Sequence, residues 1–119
     1  MDIQSLEFGE LEISDRALAA IAGITVQNMS EVAGMENGLV NELTSMFGKD
    51  SNTDGITVSS DDDQVVVDVY IRVHYGTRIP DVALRLQEKV RTALETFAEV
   101  TVTAINVYVQ AIDIPSTEE

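Results

Sequence analysis

The chain has 119 residues, 45% of them hydrophobic, a formal charge of −14 and no cysteine. That length and apolar share suit one domain with a buried core, not a disordered acidic chain. Without cysteine there is no disulfide and no thiolate zinc site, and the negative charge opposes nucleic-acid binding, which is mainly electrostatic.

The opening M-D-I-Q-S-L-E-F-G-E-L-E carries no basic leader or apolar run, and no later stretch reaches the length of a membrane span. The expectation is a soluble, intracellular protein without direct membrane insertion. Residues 1–7 read as a flexible N-terminus, 8–114 as the single domain and 115–119 as an acidic tail.

Phe8 to Ile13 has the alternation of a short strand, with Leu11 and Ile13 inward and Glu10 and Glu12 outward. Ser14 is a suitable N-cap, and Asp15 sits where a helix dipole favours negative charge. The helix that follows should run to about Met29 and bury Leu18, Ile21, Ala22, Thr25 and Met29. E-V-A-G-M-E-N-G, with Gly34 and Gly38, reads as a break in regular structure. Leu39, Leu43, Met46 and Phe47 then recur at helical spacing, and Gly48 supplies a stop.

Asp50 to Gly55 is a turn-rich loop, Ile56 to Ser59 a strand, and Ser60 to Asp63 the connection into a long strand. In that long strand Val65, Val67, Val69, Ile71 and Val73 alternate with Val66, Asp68, Tyr70, Arg72 and His74, giving one dry and one wet face. The chain breaks at Gly76 and restarts at Pro80. Ala83, Leu86, Val90, Ala93 or Leu94, and Phe97 form the apolar stripe of a helix lying on a sheet. From Ile105 the period returns to two: Ile105, Val107 and Val109 on one side, Asn106, Tyr108 and Gln110 on the other. This order predicts an α+β fold, a two-layer sandwich in β-α-β-β-α-β order with helices on one face of a mixed sheet. A short extra helix falls near residues 38–47. The last strand follows a crossover helix, so the long strand is its natural parallel neighbour.

Charge is unevenly spread. Between Met1 and Asp68 only Arg16 and Lys49 oppose many carboxylates, whereas Arg72, Arg78, Arg85, Lys89 and Arg91 face only Asp81 and Glu88 in their window. Two readings stay open: an ordinary solvated face, or a basic helix surface that meets the acidic half of a second copy.

Candidate chemistry is sparse. Asp50, Asn52, Asp54 and Asp61 occupy positions one, three, five and twelve of a D-x-N-x-D-G calcium-loop pattern. Against it, Ile56 comes one position early, the closing residue is Asp instead of the longer Glu, and a strand follows. A plain Asx/Gly turn is preferred, with no metal and no cofactor. His74 is the sole histidine and has no serine or cysteine nucleophile at a recognisable spacing. The segment Gly34 to Gly38 lacks the lysine and hydroxyl of a phosphate loop. No catalytic residue is assigned. The wet sheet face, carrying Tyr70, Arg72, His74, Asn106, Tyr108 and Gln110, is the candidate interaction surface, since Tyr and Arg are typical interface anchors. An ordinary solvated sheet face is the competing reading.

G-E-L-E-I-S-D-R-A-L-A-A-I-A, E-V-A-G, the run V-V-V-D-V-Y-I-R-V-H-Y-G-T-R-I-P-D-V-A-L-R-L-Q-E-K-V and the ending V-T-V-T-A-I-N-V-Y-V-Q-A-I together resemble the alkaline shock protein/Gls-type family of Gram-positive envelope stress proteins. The resemblance spans Phe8 to about Ile112. The sequence departs from that pattern at Met35, where valine is common, at Glu99-Val100, where Gly-Leu is usual, and at Ile105, which replaces a valine. The resemblance implies a cytoplasmic, non-enzymatic protein of envelope homeostasis and stress response. Its implied role is a self-associating homo-oligomeric scaffold or adaptor, membrane-associated through an anchored relative. The alternative it implies is a regulatory module that binds a metabolic, lipid-synthesis enzyme.

Overall fold

In the computed structural model, described here for residues 2–35, 52–53, 55–62 and 64–115, the centre of the molecule is the valine-rich strand β6, Gln64–His74. Val65, Val67, Val69, Ile71 and Val73 are all essentially without solvent contact. Each such side chain contributes about 1.5–3 kcal/mol on burial. Their backbone alternation leaves Val66, Asp68, Tyr70 and Arg72 half-buried on the opposite face and His74 exposed beside them.

Before β6 come β1 (Asp2–Leu6), β2 (Gly9–Ile13), α1 (Asp15–Gln27), β3 (Val32–Met35), β4 (Asn52–Thr53) and β5 (Ile56–Asp61). After it come α2 (Ile79–Phe97) and β7 (Thr101–Asp113). β1 and β2 form a separate antiparallel two-stranded sheet. The other five strands make the main sheet. β7 runs parallel to β6 along its whole length. β5 pairs antiparallel with residues 64–69 of β6 and β3 with residues 71–73. Since β7 occupies one edge of β6 throughout, β5 and β3 share the other, end to end.

Both described helices pack on the dry face. α1 buries Leu18, Ala19, Ala22, Gly23 and Val26, and α2 buries Val82, Leu86, Val90 and Leu94. Their apolar side chains join one cluster with the odd-numbered residues of β6. The fold is therefore α+β, with the two described helices layered on a mostly antiparallel sheet, as the hydrophobic periods require. Ser14 caps α1 as its side chain accepts from the Ala17 N–H at 3.1 Å. The Asp15 carboxylate accepts from the Ser60 hydroxyl at 2.6 Å, tying the helix start to β5.

Several local expectations need correction. Residues 2–6 form a strand that the sequence reading did not assign. Its partner strand turns Leu11 outward, 39% exposed, and only Ile13 reaches the core. α1 ends at Gln27, two residues short of Met29, although Met29 is buried. The segment read as a break holds β3: Gly34 lies opposite Arg72, and a Cβ there would come within 2.5 Å of the guanidinium. Glycine breaks a strand pattern in sequence, yet here it makes room for a neighbour's side chain. Phe97 belongs to the α2 stripe by helical angle, but it is 74% exposed. It sits in the last turn, where a groove of about 530 Å³ opens between the helices against Thr25, Asn28 and Met29. The short helix expected near 38–47 lies outside the described residues.

Candidate interaction surface

The wet face is ordered by the register between β6 and β7. Asp68 lies opposite Asn106, Tyr70 opposite Tyr108, Arg72 opposite Ala111 and His74 opposite Asp113. Two irregularities, at Thr103 and at Gln110, each leave one residue of β7 without an opposite number on β6. The second slips the pattern by one residue beyond Val109. Gln110, expected in line with Tyr108, is thereby the extra residue at the slip, and Asp113 comes into the row.

Three cross-strand contacts result. The Tyr70 and Tyr108 rings stack with centroids 4.8 Å apart and planes 18° from parallel. The Asn106 side-chain N–H donates to the Asp68 carboxylate at 2.9 Å, and the Arg72 Nε–H donates to Asp113 at 3.3 Å. An aromatic pair of this kind is worth about 0.5–1.5 kcal/mol beyond its buried area. The partly exposed Arg72–Asp113 pair adds about 0–1 kcal/mol. The row is thus a strip of amide, aromatic and ion pair, with Tyr108 42% exposed.

Sequence reasoning placed Tyr70, Arg72, His74, Asn106 and Tyr108 on this face, and the structure brings Tyr70 together with Tyr108. It missed Asp113 as partner of Arg72, because the slip at Gln110 leaves no mark in the hydrophobic period. Asp68 showed its alternation in sequence but not its amide partner.

The basic window is largely paired within the chain. Arg78 pairs with Asp81 at 3.1 Å, Arg91 with Glu95 at 3.3 Å, and Arg85 with Glu31. Glu31 has its carboxyl pKa held below the ordinary value by a hydrogen bond from its own backbone and by the Arg85 guanidinium, against the opposing effect of desolvation. The basic helix face accordingly meets an acidic residue that precedes β3 in the same chain.

Among the described residues no group of three or more His, Cys, Asp or Glu is placed to hold a metal ion. Asp50 and Asp54 of the calcium-loop pattern lie outside the described residues. Asn52 falls in β4, and Asp61 closes β5. His74 stands exposed at the end of β6. No helix among the described residues is long and apolar enough to cross a membrane.

A two-layer α+β domain with an open, paired sheet face and a helical back defines the class of protein. A solved structure titled "MamM CTD D249N - Zinc form" shares this fold, with a TM-score of 0.50 at 13% identity over 85% of this chain and 89% of that one. The family model for the alkaline shock proteins, described as of cell envelope-related function, matches residues 4–114. The Bacillus subtilis (strain 168) protein YqhY is 31% identical over 94% of this chain and 83% of its own length, and YloU of the same strain is 31% identical over 89% and 90%. A Streptococcus pyogenes serotype M3 protein named "Stress response regulator gls24 homolog" is 25% identical over 99% of this chain and 65% of its own. The chain belongs to the alkaline shock protein family, the Gls-type group that its motifs resemble. Its role is accordingly related to the cell envelope and to stress.

Proposed function

We propose that this chain is a non-enzymatic scaffold or adaptor of the cell envelope stress response, acting by self-association and by capture of partner proteins. The observation that carries the reading is the Tyr70–Tyr108 stack, held open on the sheet face away from both helices. A stacked aromatic pair flanked by Arg72, Asp68 and Asn106 offers a stiff, amphipathic surface with little side-chain entropy left to lose on binding. The names of the gls24 relatives support the stress assignment. In this reading the protein works in the cytoplasm and reaches the membrane through a bound, membrane-anchored relative.

Light scattering after size exclusion, over a rising concentration series, tests self-association, and affinity purification with identification of the bound protein tests the adaptor role. Tyr70→Ser with Tyr108→Ser is expected to lower both while the fold survives. A doubly substituted protein that assembles and captures partners like the wild type would count against the surface. Recovery of one metabolic enzyme in place of an envelope protein would favour the regulatory-module reading instead.

A further inference from the structure

Among the described residues β7 pairs with β6 alone, and its outer edge can be read group by group. The Tyr70 N–H donates to the Gly55 carbonyl at 2.8 Å and the His74 N–H to the Glu31 carbonyl at 3.3 Å. Even-numbered residues of β6 therefore turn their backbone groups away from β7, and odd-numbered residues turn theirs toward it. In a parallel ladder each such odd residue bonds the two neighbours of its opposite number. Val69, opposite Val107, thus engages Asn106 and Tyr108. The backbone groups of Ile105, Val107 and Val109 point outward.

Side chains of α2 cover the start of that edge. The Gln87 amide donates to the Ile105 carbonyl at 2.9 Å, and the Glu95 carboxylate accepts from the Val102 N–H at 3.3 Å. At the other end the slip at Gln110 interrupts the strand's regularity. Between them Val107 and Val109 present N–H and carbonyl groups that meet no partner among the described residues. Natural edges are commonly protected by charge, proline or a covering segment. β7 has no charged side chain and no proline before Asp113, and Tyr108 stands exposed at the centre of the uncovered window.

We propose that this window pairs antiparallel with the same window of a second copy, about a two-fold axis at Tyr108. The proposal rests on the self-association reading above and names its contact. Val107 of each copy lies opposite Val109 of the other, and the four outward N–H and four outward carbonyl groups can form four hydrogen bonds between them. Tyr108 meets its own counterpart at the closely spaced position, where Cα atoms approach to about 4.5 Å. The Tyr70–Tyr108 stack then runs on into a row of four rings, and both helical layers stay on the same side of one continuous sheet. A second copy is the favoured occupant because the window is short and symmetric, which suits an isologous contact better than a long added peptide. It also brings no like-charged side chains face to face, although each chain carries −14.

The chain has no cysteine, so single cysteines report contacts cleanly. Tyr108→Cys should form a disulfide-linked dimer readily in mild oxidant, because the closely spaced antiparallel position lies within the roughly 4.4–6.8 Å Cα range of disulfides. Thr101→Cys, exposed at the start of the same strand, serves as the control. Val107→Pro removes one outward N–H without touching the ladder to β6. It should weaken dimerisation at least about tenfold, read by sedimentation equilibrium, with the circular dichroism spectrum unchanged. A wild-type chain that is monomeric at every concentration overturns both this contact and self-association. A wild-type chain that assembles, with Tyr108→Cys linking no faster than Thr101→Cys, overturns the contact alone. The cross-link decides the matter if Val107→Pro fails to fold.

Discussion

Glu99 follows α2 with φ of 57°, in the left-handed region, immediately after the C-cap Ala98. Helices commonly end this way, with glycine at the position Glu99 holds. A β-carbon in this conformation costs about 1–2 kcal/mol, and glycine returns about 0.4–1 kcal/mol of that through its freer unfolded chain. Relief of backbone strain by Glu99→Gly should thus leave a net gain of about 0.5–1 kcal/mol. Glu99 also places a carboxylate at the negative end of a helix with no basic residue in its last turn, so removal of the charge adds about 0.3–1 kcal/mol. Glu99→Gln separates the two effects, since it loses the charge and keeps the β-carbon. Urea titrations followed by circular dichroism should show Glu99→Gly more stable than Glu99→Gln by about 0.5–1 kcal/mol, with equal m values. For a chain of this length that is roughly 2–4 °C in Tm. Equal stability of the two variants, or Glu99→Gln the more stable, would refute the strain argument.

Leu86→Ala should cost about 2–5 kcal/mol in the same titrations because it empties a fully buried site, whereas Phe97→Ala should stay within about 0.5 kcal/mol despite lying on the same helical stripe. A double-mutant cycle between Tyr70→Ala and Tyr108→Ala should return a coupling of about 0.5–1.5 kcal/mol, and a value near zero would mean the stack is not formed in solution. Glu31 has a folded pKa below its ordinary 4.5. Its contribution to stability is therefore present above pH 4.5 and disappears as the pH falls through the lower folded value. Stability measured from about pH 6 down to about pH 3 should decline less steeply for Glu31→Gln than for the wild type, and parallel acid limbs would show that Glu31 takes no part.

The open face acquires its character from register as much as from composition. Tyr70 and Tyr108 stack because β6 and β7 pair in parallel with those two residues in register. Arg85 and Arg91 of α2, and Arg78 at its N-cap, are drawn into ion pairs within the chain. The edge beyond β7 continues the aromatic strip, so the face and the edge would form one contact area.

Periodicity alone determined the central elements. Five alternating apolar residues from Val65 to Val73 can bury one face only as a strand, and the stripe through Leu86 and Val90 can do so only as a helix. The wet face was legible for the same reason: Tyr70, Arg72 and Tyr108 occupy the alternate positions. What tertiary structure decided are features whose cause lies in another segment. β3 is a strand because β6 offers it an edge, and Gly34 is tolerated in it because the Arg72 guanidinium takes the space of a side chain. Asp113 joins the site, and Gln110 leaves its row, because the ladder to β6 slips between Val109 and Ala111. Phe97 fits the stripe but finds a groove instead of the core, since helical angle fixes which side a residue faces and not what stands opposite it.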